Sequence, residues 1–365
     1  MPPRSSDRWR FQLRSALATA IAGASDLQRH ARREGECYRP LILGYHRVVD
    51  DFTVASRSDM PSMLIGRAMF ERHIEWIGRS FRFVTLDEIG TRLESGMLFP
   101  EPVAAVTFDD GYRDVYENAF PVLRRKGIPA TMFVVTDLID KPFRHVHDRL
   151  YHLIDRAFGT WADPSGRLFA MLRDLRIEPT EVFRSRGEAA TSMLAVTRLL
   201  PALRHTDSAA LVAYLEAVVG NGTSNTAPNV TWAMMHEMCE GGFTIGSHTR
   251  RHVSLPMEAP EVIADELAGS KRELEMHLGA PVHHFAYPCG EFTPEVVDAI
   301  DRAGYRFAYT TCPHRDRRHP LLTIERLLLW ENSSTGADGE FSSAVLNCQV
   351  HDLWPPARRC ERLHS

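Results

Sequence analysis

The sequence predicts an α/β protein built on a parallel sheet, closed as a barrel or left open. Two observations carry that prediction. From about residue 40 short β-like runs alternate with helical stretches, giving roughly seven or eight strands, each followed by a helix. The alternation lapses only between about 141 and 226, where helix formers dominate, and then resumes with the same rhythm.

In chain order, LILGY (41–45) is a wholly apolar run of strand length. AMFERHIEWIGRS (68–80) repeats its apolar residues at helical spacing, and FRFVTL (81–86) returns to strand character. VAAVTF (103–108) is a strand that runs into two aspartates, and YENAFPVLRRKG (116–127) is a helix stopped by glycine. PATMFVV (129–135) is the next strand. HDRLYHLIDRAF and AALVAYLEAVV fall in the helix-rich stretch, which closes on GNGTSNTAPN, a linker by composition. This stretch is expected to be a helical insertion rather than a separate domain. TWAMMHEMCEGG, PEVIADELAGSKRELEMHLG and TPEVVDAIDRAGY then read as helices, while FTIGSH, HHFAYP, RFAYTT and TIERLLLW read as strands. The expected division is an N-terminal arm (1–39), a barrel-like domain (40–335) carrying the insertion, and a C-terminal tail (336–365).

Composition narrows the functional classes. At 44% hydrophobic and 25% charged, the 365-residue chain has the make-up of a globular protein with a sizeable core. A net charge of −4 with no basic stripe gives no expectation of nucleic acid as a partner, and no apolar run is long enough for an integral membrane span. No Gly-x-Gly-x-x-Gly or P-loop follows a strand, which disfavours nucleotide binding. The basic MPPRSSDRWRFQLR and the small, mildly apolar SALATAIAGAS imitate a signal peptide. The apolar part is mostly alanine, however, and DLQRHARR follows at once, so the expectation is a cytoplasmic chain rather than an exported one. Six scattered cysteines with no C-x-x-C pair argue against a structural zinc site and a disulfide framework.

In α/β architectures sites gather at the C-terminal ends of the strands. Four such ends here carry polar residues: Tyr45-His46-Arg47, Asp109-Asp110-Gly111, Ser247-His248 with His252, and Tyr287-Pro288-Cys289-Gly290. Asp-Asp-Gly fits a turn, but adjacent carboxylates repel each other and are seldom buried without a partner. His248 and His252 are four apart, and one helical turn between them would set both imidazoles on the same side. With 17 histidines in the chain, pairs also arise by chance, as His145/His147 and His283/His284 illustrate. Two imidazoles and one carboxylate form a known zinc set with room for water and substrate. One aspartate would then bind the cation, and the other would stand beside activated water as general base, a pattern suited to hydrolysis of an amide or ester.

These segments resemble the polysaccharide deacetylases of the NodB-homology type, carbohydrate esterase family 4. TFDDGY (107–112) resembles the first motif, HTRRH (248–252) the His-[Ser/Thr]-x-x-His motif and FAYPCG (285–290) the third. ILGYHRV (42–48) and FERHIEWIGRSFRFVTLDEI resemble the exopolysaccharide and poly-N-acetylglucosamine deacetylase branch, and the likeness covers about 40–136 and 228–330. The resemblance implies a distorted (β/α) barrel and metal-dependent removal of acetyl from an N-acetylated glycan. It implies Asp109 as general base and Asp110, His248 and His252 as ligands of a divalent metal, zinc first, with Co, Ni, Fe or Mn as alternatives. The Cys289 backbone N–H, among Tyr287, Pro288 and Gly290, would face the oxyanion, and His46 would protonate the leaving amine. Tyr112 and Arg326 are further candidates, and His319 is a weaker acid. Cys289 stands where the family usually has tyrosine, and Ala286 where many members have arginine. The same chemistry on a non-sugar amide or O-acetyl ester is the first alternative. An inactive carbohydrate-binding scaffold is the second.

Overall fold

The structure, a computed structural model, describes residues 5–22, 33–34, 37–177, 191–220 and 228–354. Its main sheet contains β1 (Leu41–Tyr45), β2 (Arg82–Phe83), β3 (Val103–Phe108), β4 (Ala130–Val134), β5 (Phe243–Ser247), β6 (His284–Ala286), β7 (Phe307–Thr310), β8 (Ile324–Glu325) and β9 (Leu327–Leu328). All pairings in it are parallel, in the order β8-β7-β6-β5-β4-β3-β1-β9, with β2 against the start of β3. The two ends of this order are halves of a single segment broken at Arg326. β8 pairs with β7 (Tyr309↔Ile324), and β9 pairs with β1 (Leu327↔Leu43). The sheet therefore nearly closes on itself as a distorted barrel.

Alternation along the strands decides which residues fill that barrel. Ile42, Ala105, Phe133, Ala286, Phe307, Tyr309 and Ile324 form one buried cluster inside it. Their neighbours Leu41, Leu43, Tyr45, Val106, Phe108, Met132 and Phe285 belong to the larger core outside, under the helices. Continuing the inward parity past the strand ends gives His46, Asp109, His248 and Arg326. The interior is narrow: a Cβ on Gly246 would lie 2.6 Å from Phe133 Cδ1 and 3.0 Å from the His284 carbonyl oxygen.

The helices that cover the sheet are α2 (Arg67–Ile77), α3 (Leu86–Glu94), α4 (Phe120–Lys126), α9 (Trp232–Glu240), α10 (Pro260–Leu278) and α11 (Pro294–Arg302), with α1 (Ser5–Ala22) before them in the chain. Thr85, Thr231 and Thr293 cap α3, α9 and α11 with their hydroxyls, each accepting a backbone N–H of the first turn. Residues 81–86 are shorter as a strand than their composition predicts, because Thr85 caps α3 and turns Leu86 into its first residue. The helix expected over 116–127 opens with a π-type turn, Val115–Ala119, before α4.

The helix-rich stretch forms α5 (Val146–Thr160), α6 (Pro164–Asp174), α7 (Ser192–Leu199) and α8 (His205–Val219). Leu150, Ile154, Leu168, Leu172, Val196, Leu211 and Leu215 give it a core of its own, to which Met60 of the barrel contributes. Beyond the barrel, α12 (Ser343–Val350) packs on α1 through Val345, Cys348 and Ala18. The five described cysteines form no disulfide; Cys360 lies outside the described residues. Among the described residues no helix is long and apolar enough to cross a membrane.

Gly246→Val is expected to lower stability by about 1–3 kcal/mol through overpacking against Phe133 and the His284 carbonyl. Urea denaturation at neutral pH measures the loss, and an unchanged midpoint would mean that the interior has slack at this position.

Candidate active site

Asp109 and Asp110 are consecutive and both buried, yet their surroundings are opposite. Asp109 keeps the inward parity of β3 and meets Arg326, which enters from the break between β8 and β9. Arg326 donates from both terminal nitrogens, at 2.7 Å to Asp109 Oδ1 and 2.8 Å to Oδ2, and also to Thr107 Oγ1 at 3.0 Å. Arg326 is 2% exposed, so this is a buried ion pair and not a surface one. Burial would raise the Asp109 carboxyl, but the charge of Arg326, with help from His248, overrides it and holds the group at about 2.

Asp110 leaves the strand in a left-handed conformation (φ 74°) followed by Gly111 (φ 81°), which swings its carboxylate away from the parity of β3. Among the described residues neither of its oxygens has a hydrogen-bond partner. Oδ1 lies 3.5 Å from His248 Nε2 and 3.3 Å from His252 Nε2. Burial, with the charges of Asp109 and Asp148, pushes the Asp110 carboxyl well above the usual range. Ligand atoms on one tetrahedral ion with 2.0–2.1 Å bonds stand about 3.4 Å apart. The orphaned oxygens and these separations therefore fit a divalent cation.

The two histidines do not share a helical turn, contrary to the sequence expectation. Residues 248–252 form a loop with Thr249 (φ 68°) and His252 (φ 58°) left-handed, closed by a bond from His252 N to Thr249 Oγ1 at 2.9 Å. Buried Glu266 secures it by accepting from the backbone N–H groups of Arg250 and Arg251 at 2.8 and 3.0 Å. His248 Nδ1 lies 2.8 Å from the Ala286 carbonyl, to which it donates, and this leaves the Nε2 lone pair facing Asp110. Burial pushes the His248 imidazole down to about 4, which keeps it neutral, as a metal ligand must be.

A cavity of about 440 Å³ opens onto these groups. His46, Asp109, Asp110, His248 and His252 line it, with Tyr287, Cys289 and Gly290 on the β6 side. Burial pushes His46 down to about 4, against the opposing charge of Asp109. Tyr287 donates its hydroxyl to the Leu322 carbonyl at 2.7 Å, Pro288 is buried, and Cys289 (φ 57°) and Gly290 (φ 69°) turn the chain. Thr310 Oγ1 anchors that turn at the Gly290 carbonyl, 2.6 Å away. The insertion reaches the cavity through Met193, Leu194, Thr197, Leu200 and Pro201, and Trp330 adds to the wall.

Two candidates stand elsewhere. Tyr112 lies behind the cavity, fully buried, with its hydroxyl 2.7 Å from His147 Nε2 and 2.9 Å from Asp148 Oδ2. His319, the weaker acid candidate, lies beside Asp298 and Asp301 on α11, 3.5 and 3.8 Å away, and does not line the cavity. His147 was missed. It lines the cavity, 3.6 Å from Asp110 Oδ2, although its HVH setting reads in the sequence as a chance pair.

A family model for polysaccharide deacetylase matches residues 98–158 and 193–308, which contain Asp109, Asp110 and both histidines of HTRRH. The chain carries a polysaccharide deacetylase domain. It is similar to the Bacillus subtilis protein YxkH, at 22% identity over 83% of this chain and 76% of that one. A 123-residue stretch is 31% identical to the poly-β-1,6-N-acetyl-D-glucosamine N-deacetylase of Staphylococcus aureus, spanning 32% of this chain and 40% of that enzyme. IcaB from Ammonifex degensii superposes with a TM-score of 0.53 at 19% identity, covering 87% of this chain and 98% of that one. This is a likeness of fold.

Arg326→Leu is expected to leave a buried carboxylate unpaired and to cost about 3–5 kcal/mol near neutral pH. Asp109 at about 2 lies below its unfolded value of 3.8, so its stabilising contribution is present above roughly pH 4 and lost as pH falls through about 2. Urea curves of wild type and variant, well separated at pH 7, should therefore converge on acidification below pH 4.

Proposed function

We propose that this deacetylase is metal-dependent and removes N-acetyl groups from an N-acetylhexosamine-containing polysaccharide or glycan precursor. One observation carries the proposal: adjacent carboxylates are sorted, Asp109 onto a guanidinium and Asp110, without hydrogen-bond partners, onto imidazoles. Asp110, His248 and His252 would hold the ion, zinc first among Co, Ni, Fe and Mn. A bound divalent cation supplies Lewis acidity, which acidifies water and polarises the amide carbonyl.

The remaining steps belong to the chain. Asp109, kept ionised by Arg326, accepts the proton of the attacking water as general base. The Cys289 backbone N–H, held in its turn by the Thr310–Gly290 bond, donates to the developing oxyanion. His46 protonates the leaving amine. Burial keeps His46 neutral at rest, so its proton arrives during turnover, and the one taken up by Asp109 is at hand. The name of the Staphylococcus aureus relative supports an N-acetylglucosamine polymer as substrate. The apolar side of the cavity, with Met60, Met63, Met193 and Leu329, also suits a non-sugar amide or an O-acetyl ester.

The test is acetate release from chito-oligosaccharides and from poly-β-1,6-N-acetylglucosamine by protein carrying stoichiometric metal, with and without chelator. Chelator-sensitive acetate release is expected; bound metal with no acetate from any N-acetylated glycan would turn the assignment to the non-sugar reading. His46→Ala should lower kcat by about 10²–10⁴ while metal affinity stays as in wild type. Wild-type turnover in that variant would remove His46 from the chemistry.

A further inference from the structure

We infer that His147, at the start of the insertion, is a third imidazole ligand of the metal centre. The inference rests on the metal-site reading above and adds to it a residue from outside the Asp-Asp and His-x-x-x-His segments. His147 is buried, and its Nε2 lies 3.6 Å from Asp110 Oδ2, too far for a hydrogen bond and close to the separation of two ligands on a common ion. Donor atoms of Asp110, His147 and His252 all lie within 4.8 Å of one another, and the rings of His147 and His252 are 4.9 Å apart. The two oxygens of Asp110 thus divide their neighbours: Oδ1 faces His248 and His252, and Oδ2 faces His147. Neither oxygen is hydrogen-bonded, so the carboxylate has no other claim on its charge.

The surroundings of His147 permit this role. The Tyr112 hydroxyl has one proton and two acceptors in reach, His147 Nε2 at 2.7 Å and Asp148 Oδ2 at 2.9 Å. When the Nε2 lone pair is committed to a cation, Asp148 takes that proton, and the tyrosine needs no new partner. Among the described residues His147 Nδ1 has no hydrogen-bond partner, whereas His248 Nδ1 is tied to the Ala286 carbonyl. A centre with four protein donors and a position still open for substrate must expand beyond tetrahedral coordination, which cobalt, nickel, iron or manganese accept more readily than a structural zinc site does.

The experiment is X-ray absorption spectroscopy on the full chain loaded with one equivalent of zinc or cobalt, counting coordinated imidazoles. Three are expected in the wild type, two in His147→Phe and three in Tyr112→Phe. Calorimetric titration with the same metal should show Kd rising at least about tenfold in His147→Phe. Two imidazoles in the metal-loaded wild type would overturn the inference and leave the metal site standing, whatever the variants do. Failure of the wild type to take up either metal would overturn both readings together.

Discussion

The buried ion pair between Arg326 and Asp109 is the constraint around which the site is arranged. Two carboxylates in sequence, both out of water, cannot both remain charged unless each finds its own cation. Arg326 meets that requirement for Asp109 with two short charge-assisted bonds and leaves Asp110 unsatisfied. The same arginine interrupts the strand that closes the barrel, between β8 on β7 and β9 on β1. Closure and charge sorting therefore meet at one residue, and a guanidinium with its fixed fork suits the pairing with Asp109 better than a lysine ammonium.

Strand parity connects the fold to the chemistry. His46, Asp109, His248 and Arg326 continue the inward-facing sets of their strands, so one end of the barrel collects them without any of them being adjacent in sequence. The residues that break parity do so with identifiable backbone devices. Asp110 turns through a left-handed residue followed by glycine, and His252 reaches back through a loop whose backbone is held by Glu266. Left-handed backbone at non-glycine residues costs about 1–3 kcal/mol each and persists where surrounding contacts over-determine it. Here those positions coincide with the side chains that converge on Asp110.

Much of this arrangement is legible in the sequence because buried parallel strands are written as short apolar runs. VAAVTF and LILGY mark β3 and β1 to the residue, and the polar residues that follow such runs mark the strand ends. What is not legible depends on distance in the fold. The spacing of His248 and His252 suggests a helical turn, but the local pattern holds no sign that Thr249 would close a loop instead. Arg326 reads equally well as a surface ion pair, since its burial follows from where the barrel closes. His147 sits in a stretch with no motif, and only the return of the insertion to the barrel end brings it within reach of Asp110.

On the proposed reading Asp109 and Asp110 hold different offices although they are neighbours and chemically alike. Calorimetric metal titration of Asp109→Asn and Asp110→Asn, side by side with wild type, tests it most directly. Asp109→Asn should bind metal as wild type does while releasing no acetate, and Asp110→Asn should lose the binding isotherm. Loss of metal from Asp109→Asn with retention in Asp110→Asn would contradict the assignment.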